Sequence, residues 1–517
     1  MENLSTLART VLEHLEPDHT KWEEWIEKKP LYPVSSCEEM QQFIQCMQDA
    51  KINKKKVFIA GDYDCDGIMS TTIMTDGLRL YGIECGFYIP DRIKEGYGLN
   101  EMMVQLAHQK GYDILITVDN GVKADAALEL AHSLNMETIV TDHHMIDEEP
   151  ECDILIHPST MEPCFSTLCG AGIAYECIRA LHVDTDYHLQ LACVASVADV
   201  MQVSLQTRCL IQQGLQSLNE KKERHIMKFV TDTHLNEVSI GFQISPKLNA
   251  IGRLSNMANV NNVVRYFLSE DDSEIVHVSN QIKEINERRK QMSAQSCEYA
   301  RSMVNQTDEI ILICQANFHE GIIGLVAGDI MNQTHKPVII GARNQNGYKM
   351  SMRSPKGFHC MEFLEPFEYF QTVGGHAQAA GFSIDLDTYD KFEKFIHQRI
   401  QSYKWNLEKA DVIEIDPSQI DVKTIESLDV LRPFGPGFEC PSFEIRHPNI
   451  KSFFDIQNRK HRRYTLSEGL SCMRFNQPVS EIEKSVNAID SFVGTLQINQ
   501  YQGRKQANFI INEIIYK

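Results

Sequence analysis

The chain has 517 residues, 43% of them hydrophobic, and a formal net charge of −21, which is length enough for several domains with sizeable cores. No apolar run approaches the roughly 20 residues of a membrane span, and Met1-Glu2-Asn3-Leu4 lacks a basic-then-apolar leader. Fifteen scattered cysteines argue against a disulfide scaffold or a zinc ribbon and for reduced thiols in a cytoplasm.

In chain order, residues 1–50 hold Trp22, Trp25 and mixed-charge helical sequence. Val57-Phe58-Ile59-Ala60 then predicts a buried strand that ends at Asp62-Tyr63-Asp64-Cys65-Asp66-Gly67. Three carboxylates at alternate positions repel one another and resist desolvation unless a cation compensates, and oxygen-rich sites suit Mg²⁺, Ca²⁺ or Mn²⁺. A calcium-binding EF-hand is excluded, because its twelfth loop position would be Ile73 rather than glutamate. A helix is expected over 67–80. Residues 112–118 predict a second strand ending at Asp119-Asn120-Gly121, then a helix over 123–135, then a third strand at 136–140 ending at Thr141-Asp142-His143-His144. Strand and helix alternating at this spacing predict a parallel, doubly wound sheet. Functional groups of such sheets gather beyond the carboxyl ends of the strands, so all three acidic clusters are expected to converge. His143, beside Asp142 at such an end, becomes a ligand candidate. The small-residue run 191–198 delivers Asp199, a weaker signal, since a buried aspartate also caps helices.

Farther on, Ile275, Val278, Ile282, Ile285 and Met292 recur at helical spacing among many charges, predicting a long amphipathic connector. Residues 305–405 read as a second α/β domain, with strands near 310–314 and 337–341. After the Pro/Gly-rich break at 433–441, alternating runs at 491–499 and 506–514 predict a small β-barrel. The acidic balance weighs against nucleic acid, but screening confines a field to about 10 Å, so a local basic groove remains open. Arg459-Lys460-His461-Arg462-Arg463-Tyr464 is either a solvated turn or a contact to a phosphate backbone, with Tyr464 as a stacking candidate. Each glycine cluster is a tight turn or a close approach of backbone to phosphate. Gly374-Gly375-His376 does not fit a dinucleotide fingerprint, and His319-Glu320 lacks the second histidine of a zinc protease at Ile323.

These residues resemble the four motifs of the DHH phosphoesterase superfamily: Asp64-x-Asp66, Asp119, Asp142-His143-His144 and Asp199. The bacterial RecJ single-strand exonuclease branch matches best. Asp91-Arg92-Ile93-Lys94-Glu95-Gly96-Tyr97-Gly98-Leu99, Leu248-Asn249-Ala250-Ile251-Gly252-Arg253 and Phe318-His319-Glu320-Gly321-Ile322-Ile323-Gly324 continue the likeness. So do Ser351-Met352-Arg353-Ser354, Gly374-Gly375-His376-Ala377, Pro433-Phe434-Gly435-Pro436-Gly437 and Tyr501-Gln502-Gly503-Arg504. Two departures are Phe438, where the family usually has asparagine, and Met352, where it has a small residue.

The resemblance implies an α/β chain. A doubly wound parallel-sheet DHH domain at 51–270 would follow the N-terminal helical segment 1–50. A connecting helix at 271–304, a DHH-associated substrate-binding α/β domain at 305–405, and a linker with an OB-fold-like β-barrel at 406–517 would complete it. It implies a cytoplasmic, monomeric 5′→3′ exonuclease on single-stranded DNA, serving repair and recombination with a two-metal mechanism. Asp64, Asp66, Asp119, His143 and Asp199 would ligate two Mn²⁺ or Mg²⁺ ions, with Asp119 as the bridge; a mixed carboxylate and imidazole shell favours Mn²⁺. His144 would approach the scissile phosphate, with Asp62 and Asp142 as auxiliaries. Arg92, Ser351 and Arg353 would hold a 5′-phosphate and Arg253 the strand backbone, with His319, Gly375 and His376 in phosphate-approaching loops. A single-strand binding protein and a helicase are the expected protein partners, and no membrane is involved. The alternatives are a phosphodiesterase of short oligonucleotides or cyclic dinucleotides and a metal-free replication scaffold of the same fold.

Overall fold

The computed structural model of the chain describes residues 4–345, 347–408, 411–457, 459–477, 481, 484–501 and 504–517. Gln502 and Gly503, part of the last family motif, lie outside these residues. The chain folds as two compact units, one of residues 31–201 and 205–408, the other of 1–30, 202–204 and 409–517. No helix among the described residues is long and apolar enough to cross a membrane.

The larger unit begins with a parallel sheet of β1 (Val57–Ala60), β2 (Cys85–Tyr88), β3 (Ile114–Val118), β4 (Glu137–Thr141) and β5 (Ile154–Ile156). The strand order is β2-β1-β3-β4-β5, with Val57 opposite both Cys85 and Ile114. Connections leave β1 in opposite directions, so β1 and β3 flank the switch point of the sheet, where doubly wound folds open a crevice. The helices expected over 67–80 and 123–135 form at Cys65–Tyr81 and Asp125–Ser133. Phe58, Ala60, Leu115 and Val140 face one core with Met103, Val104, Leu128 and Ala131. The helix Cys65–Tyr81 is buried along nearly its whole length, which is why its apolar pattern is not confined to one stripe. Asn120 staples the crevice, donating to Ala60 O (3.0 Å) and Val118 O (2.9 Å) and accepting from Leu99 N–H.

The 32-residue helix Asp272–Met303 buries Ile275, Ser279, Ile282 and Asn286 in its first half, then Cys297 and Ala300. The last two join the core of a second sheet. That sheet contains β6 (Ile311–Gln315), β7 (Val338–Arg343), β8 (Tyr348–Arg353), β9 (Thr372–Gly375) and β10 (Ala379–Ile384), ordered β6-β7-β8-β10-β9. Only the β6–β7 pair is parallel.

The smaller unit is built on a seven-stranded sheet: β11 (Val412–Glu414), β12 (Ser442–Arg446), β13 (Ile450–Ile456), β14 (His461–Leu466), β15 (Ser471–Arg474), β16 (Ile489–Tyr501) and β17 (Arg504–Tyr516). Leu7, Val11, Leu12 and Trp22 from the N-terminal helices share its core with Phe443, Phe492 and Phe509. Tyr464 belongs to that core as well, at 1% exposure, which corrects the stacking role expected of it: on β14 alternate side chains point inward. Arg462 is likewise buried, with Nε 2.6 Å and Nη2 3.1 Å from the Asp455 carboxylate. Arg459, Lys460 and Arg463 stay exposed, and the exposed aromatics on edge strand β13 are Phe453 and Phe454 (50% and 64%).

Candidate metal centre and strand-end pocket

Asp64 follows β1 as the N-cap of the helix Cys65–Tyr81, its Oδ1 accepting from Gly67 N–H at 3.1 Å. Asp66, in the first turn, turns the other way and receives Gly170 N–H and Ala171 N–H on its two oxygens, 2.8 Å each. Those donors open the helix Gly170–Ala180, so a helix terminus holds a carboxylate. Asp119 ends β3 in the left-handed region, φ 62°, with its N–H on Thr141 O (3.0 Å). Asp199 caps the end of the helix Asp186–Ala198.

These groups meet. His143 Nε2 lies 3.2 Å from Asp119, 3.6 Å from Asp199 and 3.7 Å from Asp66. Three sets of potential ligand atoms lie within 4.8 Å of one another: Asp62, Asp64 and Asp119; Asp66, His143 and Asp199; Asp119, His143 and His144. Asp119 and His143 belong to two sets each, and Asp62, read from the sequence as an auxiliary, sits with potential ligands. Burial first and neighbouring carboxylates second raise the pKa of Asp62, Asp64 and Asp119, and push Asp199 up to about 8. Asp62 Oδ1 and Asp119 Oδ1 are buried without a hydrogen-bond donor among the described residues, an arrangement that costs about 1–3 kcal/mol per group or more when charged. Divalent cations would remove both penalties, and a carboxylate and imidazole set fits Mn²⁺ or Mg²⁺.

His144 stands beside the cluster with Nδ1 2.7 Å from Asp142 Oδ1. Asp142 is buried and also accepts from the backbone N–H of Val122, His143 and His144. Burial alone would raise Asp142, but the His144 bond and charge outweigh it and hold the carboxyl low. Burial would lower His144, and the same partnership raises it instead to about 9. Burial keeps His143 below the ordinary imidazole range, leaving it neutral and able to ligate. A cavity of about 570 Å³ is lined by Tyr97, Asp142 and His144 on one side and by Gly374, Gly375 and His376 on the other.

A basic cluster forms separately. Burial first, then the charges of Arg92, Arg289 and Arg353, pull Arg253 down to about 10. Arg353 Nη1 donates to Ser351 Oγ (2.9 Å) and Met352 O (2.7 Å). Both side chains crowd the start of the helix Ile323–Thr334, where a Cβ on Gly324 would fall 2.9 Å from Arg353 Nη2. Arg253 Nη1 lies 3.4 Å from Gly321 O, and His319 sits in that loop, its Nδ1 accepting from Gly321 N–H. Arg289 Nη2 donates to Asn286 Oδ1 at 2.8 Å, so the hydrogen bonds of Arg253, Arg289 and Arg353 go to neutral oxygens. Four contributors were not assigned roles from the sequence: Gly170 and Ala171, Arg289, and Asn249, whose Oδ1 accepts from Cys65 N–H (2.7 Å). Small residues at 170–172 and the Arg288-Arg289-Lys290 run were the available signals.

The DHH family N-terminal domain model matches residues 56–203, the DHHA1 domain 307–402, and the RecJ OB domain 413–513. The single-stranded-DNA-specific exonuclease RecJ of Bacillus subtilis is 28% identical over 92% of this chain, which spans 63% of that protein. The protein of the same description from Haemophilus influenzae is 26% identical over 99% of this chain and 94% of its own length. The crystal structure of RecJ with Mn²⁺ from Thermus thermophilus superposes with a TM-score of 0.85 at 22% identity, covering 99% of this chain and 76% of that one. A Mg²⁺ complex of the same protein gives 0.76 at 21%.

Proposed function

We propose that this chain, which belongs to the RecJ family of single-stranded-DNA-specific exonucleases, removes nucleotides from the 5′ end of single-stranded DNA with two divalent ions. The observation that carries the reading is the overlap of three candidate ligand sets at Asp119 and His143. Beside it stands a basic cluster whose hydrogen-bond partners, among the described residues, include no carboxylate. Asp64, Asp66, Asp119, His143 and Asp199 would hold the ions, with Asp119 common to two of the ligand sets and Asp62 assisting. Two ions bound there would supply an activated water and offset the negative charge that builds on the phosphate.

The chain's own groups do the rest. Asp142 holds His144 by Nδ1, leaving the protonated ring to present Nε2–H to a phosphate oxygen. Arg92, Ser351 and Arg353 receive the terminal phosphate, and arginine suits that task because its planar fork bonds two oxygens at once. Arg253 holds the backbone between the two sites, and His319, Gly375 and His376 bring loop backbone close to phosphates. On the barrel, Phe453 and Phe454 offer stacking faces beside Arg459, Lys460 and Arg463. This chemistry belongs to residues 51–270, end recognition is shared with 305–405, and strand binding falls to 406–517. A strand-specific enzyme working as a monomer depends on a helicase to open duplexes and a single-strand binding protein to keep them open. The OB domain speaks against a preference for dinucleotides, and the complete ligand set against a metal-free scaffold.

The test uses 3′-labelled strands bearing a 5′-phosphate or a 5′-hydroxyl, digested in Mn²⁺ by wild type and Arg353→Ala. The phosphorylated strand should be cut faster, and the variant should lose about ten- to a hundredfold of that preference, the worth of one charge-assisted bond. Removal of the 3′ label first, or full retention of the preference in the variant, would overturn the reading.

A further inference from the structure

The stretch 91–98 carries two residues aimed at the two halves of the reaction. Arg92 belongs to the basic cluster, and its guanidinium lies 4.9 Å from the centre of the Tyr63 ring. Tyr63 meets Tyr97 edge-on at 6.1 Å, and Tyr97 meets His144 edge-on at 5.7 Å. The Tyr97 hydroxyl donates to Asp119 O (3.1 Å) and stands 3.3 Å from either ring nitrogen of His144. Tyr97 is 49% exposed and lines the cavity shared with Gly374–His376.

The stretch is held from within and at both ends. Asp91 Oδ1 accepts from the N–H of Ile93 and Lys94 and from Ser255 Oγ (2.9, 3.1 and 2.9 Å), while Glu95 Oε2 accepts from Asp91 N–H at 2.7 Å. At its far end Gly98 takes φ 65°, and a Cβ there would meet the Asn120 side chain at 3.1 Å, which favours glycine against the residue that follows Asp119. Backbone bonds from Glu95 and Gly96 N–H to Asp91 O close the turn, so Arg92 and Tyr97 flank one short, internally bonded element.

We propose that Tyr97 is a positioning residue that couples the strand end to the chemistry. A phosphate seated on Arg92 steadies the stretch 91–98, and the Tyr97 hydroxyl then fixes the backbone of Asp119 and the ring of His144. The proposal rests on the reading of Arg92 as an end-phosphate ligand and of His144 as the group at the scissile phosphate. It makes the 5′-phosphate an activator of turnover as well as a handle for binding.

The test is a double-mutant cycle of Arg92→Ala and Tyr97→Phe, with kcat and KM measured on 5′-phosphorylated and 5′-hydroxyl strands at saturating Mn²⁺. Tyr97→Phe keeps the ring and removes one hydroxyl. It should lower kcat on the phosphorylated strand by about three- to tenfold, the usual worth of one such bond, with KM little changed. On the 5′-hydroxyl strand, and in the Arg92→Ala background, the same substitution should have much less effect. Equal slowing of both strands, or fully additive effects, would overturn the coupling and leave Tyr97 a structural residue. A wild type indifferent to the 5′-phosphate would instead overturn the end-recognition reading itself, and the coupling with it.

Discussion

Gly170→Ala tests how the centre is held together. A Cβ at position 170 would stand 2.5 Å from Asp119 Cβ and 2.8 Å from Asp119 Cα, where carbon atoms need about 3.5–4.0 Å. One side must retreat by roughly 1 Å. Asp119 is tied through its N–H to Thr141 O and through its carbonyl to Tyr97, so the start of the helix Gly170–Ala180 is the side that yields. At least one of its two N–H donors then leaves Asp66, which in the wild type receives both at 2.8 Å. A hydrogen bond to a charged group contributes about 1.5–3 kcal/mol, so losing one of the two loosens a ligand by that amount. Because about 1.4 kcal/mol is a factor of ten, the apparent Mn²⁺ dissociation constant should rise about ten- to a hundredfold.

The assay is a Mn²⁺ titration followed by exonuclease rate and by melting temperature, with circular dichroism to verify folding. Gly328→Ala is the control: it lies within the helix Ile323–Thr334, nothing stands within 4 Å of its Cβ, and alanine should be neutral or stabilising by up to about 1 kcal/mol. A folded Gly170→Ala protein with wild-type Mn²⁺ affinity and rate would refute the argument that close approach to Asp119 governs the centre.

Asp119→Ala should abolish hydrolysis while leaving strand binding largely intact, because it removes a group common to two ligand sets; turnover above about a hundredth of wild type would rule out a bridging role. Asp199, raised to about 8 from 3.8 by burial and then Asp66, keeps a proton in the folded state that the unfolded chain has released. Its contribution is therefore fully present below the unfolded value and is lost as pH rises through about 8. Metal-free protein should melt lower as pH rises across that window, Asp199→Asn should flatten the fall, and Mn²⁺ should stabilise more at the alkaline end; melts that run parallel with and without metal would refute this. Phe453→Ala with Phe454→Ala should weaken binding to long strands by about 1–3 kcal/mol per lost stack with an unchanged salt slope, whereas neutralising Lys460 and Arg463 should flatten that slope. Titrations at several salt concentrations separate the two, and wild-type affinity in the double variant would remove the stacking faces from the barrel.

Truncation is a poorer probe of the barrel than these substitutions. Cutting at residue 440 would strip the core from Leu7, Val11, Leu12 and Trp22, which pack with Phe443, Phe492 and Phe509.

By itself the sequence determined where carboxylates end strands. Apolar runs bounded by Asp62–Asp66, Asp119 and Asp142-His143-His144 are local patterns, and period and punctuation suffice to place them on a parallel sheet whose carboxyl ends share one edge. The long helix Asp272–Met303 was legible for the same reason. Tertiary structure alone decided what those ends touch. Gly170 and Ala171 reach Asp66 across 104 and 105 positions of sequence, Asn249 caps Cys65 across 184, and Arg289 joins arginines from three other segments. No local period encodes a contact at such separation; it arises only when packed elements fix their neighbours. Tyr464 shows the same limit from the other direction. Beside a basic run it reads as a surface aromatic, yet the pleat of β14 turns it into a core, and the exposed rings stand on the neighbouring strand at Phe453 and Phe454.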